Sequence, residues 1–195
     1  PDDVVITDNH LSIFVPENVP TVVVHHGCAA THFERDPQWR TDHNLDLVHI
    51  QGQMFSLPNR VYVAPSQWVA AEFRRQYGLG DHYKPLIIPH YVPQIRQYGP
   101  GKETRPLVIG DWRDWNKGAT LWRQIARAYP EFEFAPLNFR TDKDRVRTYS
   151  FASAYLCLSV SEGGPYSVCD AEATGLPLVM TDVGNYREFS EAVVI

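Results

Sequence analysis

Residues 159–189 read SVSEGGPYSVCDAEATGLPLVMTDVGNYREF, and two of their carboxylates are spaced for work on an anionic ligand. Glu162 follows an apolar run and precedes Gly163 and Gly164, and seven residues separate it from Asp170, within the helix-like segment that comes next. A strand, a Gly-rich loop and a helix expose backbone N–H groups at the helix N-terminus, and such a place holds phosphates. The same residues also fit a plainer reading, in which the glycines only turn the chain and both carboxylates are solvated.

Two further groups bear chemistry. In VIGDWRDWNKGA, residues 108–119, a strand ending at Gly110 feeds a loop with Arg113 and Lys117, and Gly118 is expected to open the next helix. Two cations there suit a diphosphate, because charge-assisted hydrogen bonds to phosphate oxygens are short and strong; pairing with Asp111 and Asp114 is the alternative. In PTVVVHHGCA, His25 and His26 close an apolar strand before Gly27. Imidazoles at the carboxyl end of a strand face the ligand crevice of an open α/β sheet and can bond a sugar hydroxyl. His10 and His90 occupy comparable strand ends, but no HxH or HExxH spacing supports a metal site.

The elements that must position these residues alternate. DVVITD, TVVVHH, LDLVHIQG and NRVYVAPS read as strands, Ser66 caps a helix that ends at Gly78–Gly80, and PLIIPHYV returns as a strand. The polar stretch around QIRQYGPGKETR divides the chain into an N-terminal domain (1–93), a linker (94–105) and a C-terminal domain (106–195). In the second domain PLVIGDW, FEFAPL, 155–160 and 178–181 read as strands, and GATLWRQIARAYP and 167–174 as helices. The fold class is therefore α/β, two Rossmann-like domains expected to face each other across a cleft.

Composition narrows the function. With 195 residues, 44% hydrophobic and 21% charged, the chain is globular rather than disordered. A net charge of -5 argues against general nucleic-acid binding, which needs an excess of Lys and Arg. No apolar run reaches the roughly 20 residues of a membrane span, and no signal-peptide pattern opens the chain, so a cytoplasmic setting is expected. Cys28, Cys157 and Cys169 lack metal-ligand spacing and read as reduced packing residues.

The motif SEGGPYSVCDAEATGLPLVMTDVG resembles the signature of GT-B glycosyltransferases of glycosyltransferase family 4, a Glu, seven residues and a second Glu, here the one-methylene-shorter Asp170, followed by GLPVV-like and TDVGG-like turns. Glu162 matches the first Glu, Asp170 stands at the second, and Glu172 lies two residues beyond. VIGDWRDWNKGA is similar to the family's glycine, arginine and Lys-Gly pattern, with Arg113 displaced. The resemblance implies transfer of a sugar from a nucleotide-diphosphate sugar to a glycan, lipid or protein hydroxyl, with retention of configuration and without a metal or further cofactor. The N-terminal domain (1–93) would be the acceptor side and the C-terminal domain (106–195) would bind the donor, with Glu162 and His26 catalytic from opposite domains. Arg113 and Lys117 would take the diphosphate, Gly163, Gly164, Tyr166 and Ser167 would line the donor, and Asp170 would hold the ribose. The resemblance leaves room for peripheral membrane contact and a homodimer. A nucleotide-sugar-binding protein that has lost catalysis and a sugar-nucleotide epimerase on the same fold are the alternatives.

Overall fold

The computed structural model describes residues 3–90, 92, 105–184, 186–189 and 192–195. Two compact units emerge, Pro1–Pro89 with Ser161–Gly164, and His90–Val160 with Pro165–Ile195. All but Arg105 of the expected linker lies outside the described residues.

The first unit is built on four parallel strands, β1 (Val5–Asp8), β2 (Thr21–Val24), β3 (Arg60–Ala64) and β4 (Leu86–Ile87), in the order β1-β2-β3-β4. Their β-branched residues suit a pleated surface. Residues pair in register, so Thr7, Val23 and Tyr62 share one row and Ile6, Val22 and Val61 the next. Alternate rows point to opposite faces. The first row is covered: Val23 joins Met54, Ala64, Val69, Phe73 and Tyr83 in the core.

Helices α1 (Ala29–Arg35), α2 (Asp42–Gln53) and α3 (Gln67–Tyr77) fill the connections. LDLVHIQG is thus helical, not a strand. Its short apolar alternation is overridden by the cap at Thr41, whose Oγ1 accepts the Asn44 N–H at 3.3 Å, and by Asp42 in the first turn. Ser66 caps α3 through Val69 N–H at 3.1 Å, and Gly78 ends it in the left-handed region at φ 60°.

The second unit holds β5 (Leu107–Gly110), α4 (Leu121–Ala128), β6 (Glu133–Pro136), α5 (Asp142–Phe151), β7 (Ala154–Cys157), α6 (Tyr166–Ala173), β8 (Leu178–Met180) and β9 (Ala192–Val194). The strands run parallel in the order β6-β5-β7-β8-β9. Both faces are covered by separate clusters. Ile109, Tyr149, Tyr155, Val168, Leu178 and Met180 pack on one side, and Val108, Trp112, Leu156 and Leu158 meet Trp122 and Ile125 on the other. Contrary to expectation, Gly118 does not open α4, which begins at Leu121. All three cysteines are free thiols within or beside these cores. Among the described residues no helix is long and apolar enough to cross a membrane.

Candidate functional site

The loop after β5 is fixed from within. Trp112 is buried, donates its indole N–H to the Leu156 carbonyl at 3.0 Å and stacks on Trp122 at 5.1 Å. Asp114 then acts as a turn cap: its Oδ1 accepts the Lys117 N–H at 3.0 Å and its carbonyl accepts the Ala119 N–H at 2.9 Å. Gly118 has φ 82°, and a Cβ there would run into the Leu158 side chain and carbonyl, so the loop needs glycine for conformation and for space. The Val160 N–H donates to the Asn116 carbonyl at 2.8 Å. Lys117 is thereby held beside the residues that leave β7. Arg113 is turned onto Asp111, with Nε 2.7 Å and Nη2 3.0 Å from the two carboxylate oxygens. The local pairing weighed from sequence is thus realised for Arg113.

Helix α6 starts after Pro165, whose carbonyl accepts the Val168 N–H at 3.0 Å and the Cys169 N–H at 3.2 Å, so that the Tyr166 and Ser167 N–H groups precede the first intrahelical bonds. Two tyrosines pin this first turn: Tyr149 Oη donates to the Ser167 carbonyl at 3.0 Å and Tyr155 Oη to Ser167 Oγ at 2.8 Å. Tyr166 is exposed and stacks on His90 at 4.0 Å between ring centroids. Asp170 is only 6% exposed. Burial raises its pKa above the usual carboxylate value, against the opposing pull of Arg145, whose Nη1 lies 2.5 Å from Oδ1. The sequence reading missed Arg145: α5 is mostly polar, its apolar residues confined to Val146, Tyr149 and Phe151, though Thr141 followed by Asp144 was a legible cap.

In the first unit the two adjacent histidines part company. His25 is 0% exposed, stacked on Phe73 at 3.9 Å, with Nδ1 3.2 Å from Asn9 Oδ1 and a buried Nε2 that has no hydrogen-bond partner. Burial, with His26 adding to it, pushes its pKa down to about 3. His25 therefore belongs to the core and not to a ligand crevice. His26 is exposed, and its Nε2 lies 2.9 Å from Asp8 Oδ1 at the end of β1, a partner the sequence reading did not identify.

Segment Ser161–Gly164 groups with this first unit, although β7 before it and α6 after it belong to the second. Ser66 Oγ donates to the Gly163 carbonyl at 3.1 Å while capping α3. A Cβ on Gly163 would collide with the His26 carbonyl oxygen. Half-buried Glu162 is thus sequence neighbour to the residue packed on the His26 backbone, and both belong to one unit rather than to opposite ones. Among the described residues no group of three or more His, Cys, Asp or Glu is placed to hold a metal ion.

Topology explains where the second unit presents its groups. From β5 the chain moves outward to β6, then returns past β5 to β7 and continues to β8 and β9. The direction reverses between β5 and β7, and open α/β sheets bind ligands outside the carboxyl ends of the strands at such a switch point. The Lys117 loop leaves β5 there, and the segment that leads into α6 leaves β7 there.

No protein-family model matches the chain, and no curated protein matches it by sequence. Solved structures do. Sucrose-phosphate synthase from Thermosynechococcus elongatus superposes with a TM-score of 0.73 at 13% identity, covering 98% of this chain and 60% of that one. TarM gives 0.66 at 12% identity over 98% of this chain and 44% of its own. WaaG, a glycosyltransferase of lipopolysaccharide biosynthesis, gives 0.64 at 14% over 96% and 66%. The chain therefore has the fold of GT-B glycosyltransferases and spans from under half to about two thirds of the length of these structures.

Proposed function

We propose that the protein is a glycosyltransferase that takes a sugar from a nucleotide-diphosphate donor and passes it to a hydroxyl acceptor with retention of configuration. One observation carries this reading: a Lys-bearing loop and a Gly-Gly-led helix N-terminus flank the switch point of a doubly wound sheet, in a chain with the GT-B fold. Lys117 would neutralise the leaving diphosphate, with backbone N–H groups of Tyr166 and Ser167 as further donors. Arg113 contributes less, since its guanidinium is turned onto Asp111. The acceptor oxygen would attack the anomeric carbon as its bond to the phosphate oxygen breaks, and the hydroxyl proton would pass to the departing diphosphate. Glu162 and His26 would grip the sugar while positive charge grows at that carbon, and Asp170 would bind the ribose hydroxyls. No metal is required by this scheme, because the lysine and the helix dipole oppose the phosphate charge.

Incubation with a panel of nucleotide-diphosphate sugars and analysis of products tests the reading. A glycoside or free sugar together with nucleoside diphosphate is expected, undiminished by a chelator. An isomerised donor with no released nucleotide would establish an epimerase instead. Binding without turnover would establish a nucleotide-sugar-binding protein, the second reading, which the Asp111–Arg113 pair favours by withdrawing one cation from the phosphates.

A further inference from the structure

Helix α5 does more in the second unit than connect β6 to β7. Its start is set by Thr141, whose Oγ1 accepts the Asp144 N–H at 3.1 Å and donates to Asp144 Oδ2 at 2.8 Å. That cap fixes the register of the next turns, so Arg145 and Tyr149, four residues apart, lie one above the other on a single face. On α6, Ser167 and Asp170 are three apart and share a face likewise. The two pairs meet rung for rung: Tyr149 Oη on the Ser167 carbonyl at 3.0 Å, Arg145 Nη1 on Asp170 Oδ1 at 2.5 Å. Arg145 is itself steadied by Asp142, 3.4 Å from its Nε.

A short carboxylate at the position where the look-alike motif has a longer one reaches less far, and a buried carboxylate without a partner turns away or takes up a proton. Arg145 opposes both, through its hydrogen bond to Oδ1 and its positive charge. We infer that Arg145 is a positioning residue for nucleotide recognition: by engaging Oδ1 it holds the Asp170 carboxylate ionised and oriented for the two vicinal hydroxyls of a ribose, and so makes the site select ribonucleoside over 2′-deoxyribonucleoside diphosphates. This rests on the assignment of Asp170 to the ribose made above. The phosphates, by contrast, are assigned to groups that Arg145 does not touch, so loss of the arginine removes sugar selection and spares the diphosphate.

The test is calorimetric titration of the full chain with UDP, GDP, ADP and CDP, then with the 2′-deoxy form of whichever binds tightest, and with inorganic pyrophosphate. The parent is expected to favour the ribonucleotide by about tenfold, the worth of one charge-assisted hydrogen bond. In Arg145→Met the ratio should fall below about twofold while pyrophosphate affinity stays within about twofold of the parent's. Arg145→Lys, which keeps the charge and loses the fork, should give a ratio between the two. A parent-like ratio in Arg145→Met overturns the inference, as does pyrophosphate binding that falls in step with the ribonucleotide, the mark of a merely structural arginine. Should circular dichroism show Arg145→Met unfolded, Arg145→Lys decides, and a ratio equal to the parent's overturns the inference. A parent that binds nucleoside diphosphates without ribose preference overturns the Asp170 assignment, and one that binds none overturns the proposed function, each taking this inference with it.

Discussion

His25 and His26 show how little a residue type decides before its face is known. Successive residues at a strand end point to opposite sides, so one imidazole enters an aromatic core and its neighbour meets Asp8 in solvent. The buried one makes a pH prediction. Its folded-state pKa of about 3 lies below the ordinary 6.5, so the unfolded chain binds a proton in that window and the folded chain does not. His25 thus costs nothing above pH 6.5, and stability falls as pH drops from there toward 3, by up to about 1.4 kcal/mol per pH unit. His25→Phe keeps the ring stack and should flatten that slope in urea melts at successive pH values; identical slopes would show that His25 titrates normally. Half-buried Glu162 and exposed His26, in the proposed role of gripping the sugar, make a kinetic prediction. Glu162→Gln and His26→Ala should each cut turnover by at least about tenfold with nucleoside diphosphate affinity little changed, measured side by side. Lys117→Ala should do the reverse for binding, weakening diphosphate and donor alike by about tenfold to a hundredfold.

At the scale of elements, most of the chain was legible where pattern and punctuation agreed. Ser66, a β-branched strand before it and Gly78 after the helix all pointed one way, and α3 is there. LDLVHIQG failed because a few alternating apolar residues mimic a strand, while the deciding signal, the Thr41 cap, lay outside the window. Helix α5 went unread because its residues are almost all polar and its stability comes from caps and partners rather than an apolar stripe. Residue type and spacing were enough to name Lys117, Glu162 and Asp170 as candidates. Arg145, Asp8 and the tyrosines behind Ser167 were not, because their roles arise from contacts far along the chain. One such contact makes its own prediction. Gly163 lies against the His26 carbonyl with Val69 Cγ2 close by, neither of which can yield cheaply. Gly163→Ala should therefore cost about 1–3 kcal/mol and lower the thermal midpoint by several degrees. An unchanged midpoint would mean that Gly163 does not pack on the His26 backbone in solution.

Across the whole molecule the two sheets obey the same rule with different outcomes. Right-handed crossovers put connecting helices on one face when strand order runs in one direction, and on both faces when it reverses. The second unit reverses between β5 and β7, and its two clusters cover both sides. In the first unit the described strands run β1 to β4 without reversal, so the connections favour a single face. On the opposite face Ile6, 73% exposed, and Val61, 51% exposed, share a row with half-buried Val22, while Leu86, 56% exposed, pairs with buried Val63. Parallel sheets are ordinarily buried on both faces, and an apolar patch of this kind drives association. Because these side chains already meet solvent, replacing them removes little core packing. Ile6→Thr with Val61→Thr should leave the thermal midpoint within a few degrees of the parent's, since exposed substitutions cost about 0.5 kcal/mol or less each. Threonine keeps the β-branch that the strands favour. The same double variant should bind less of an apolar dye and sediment with less self-association than the parent at equal concentration. A large drop in the midpoint would show that this face is covered in the folded protein, and unchanged dye binding would show that the exposed row is not where apolar ligands adsorb.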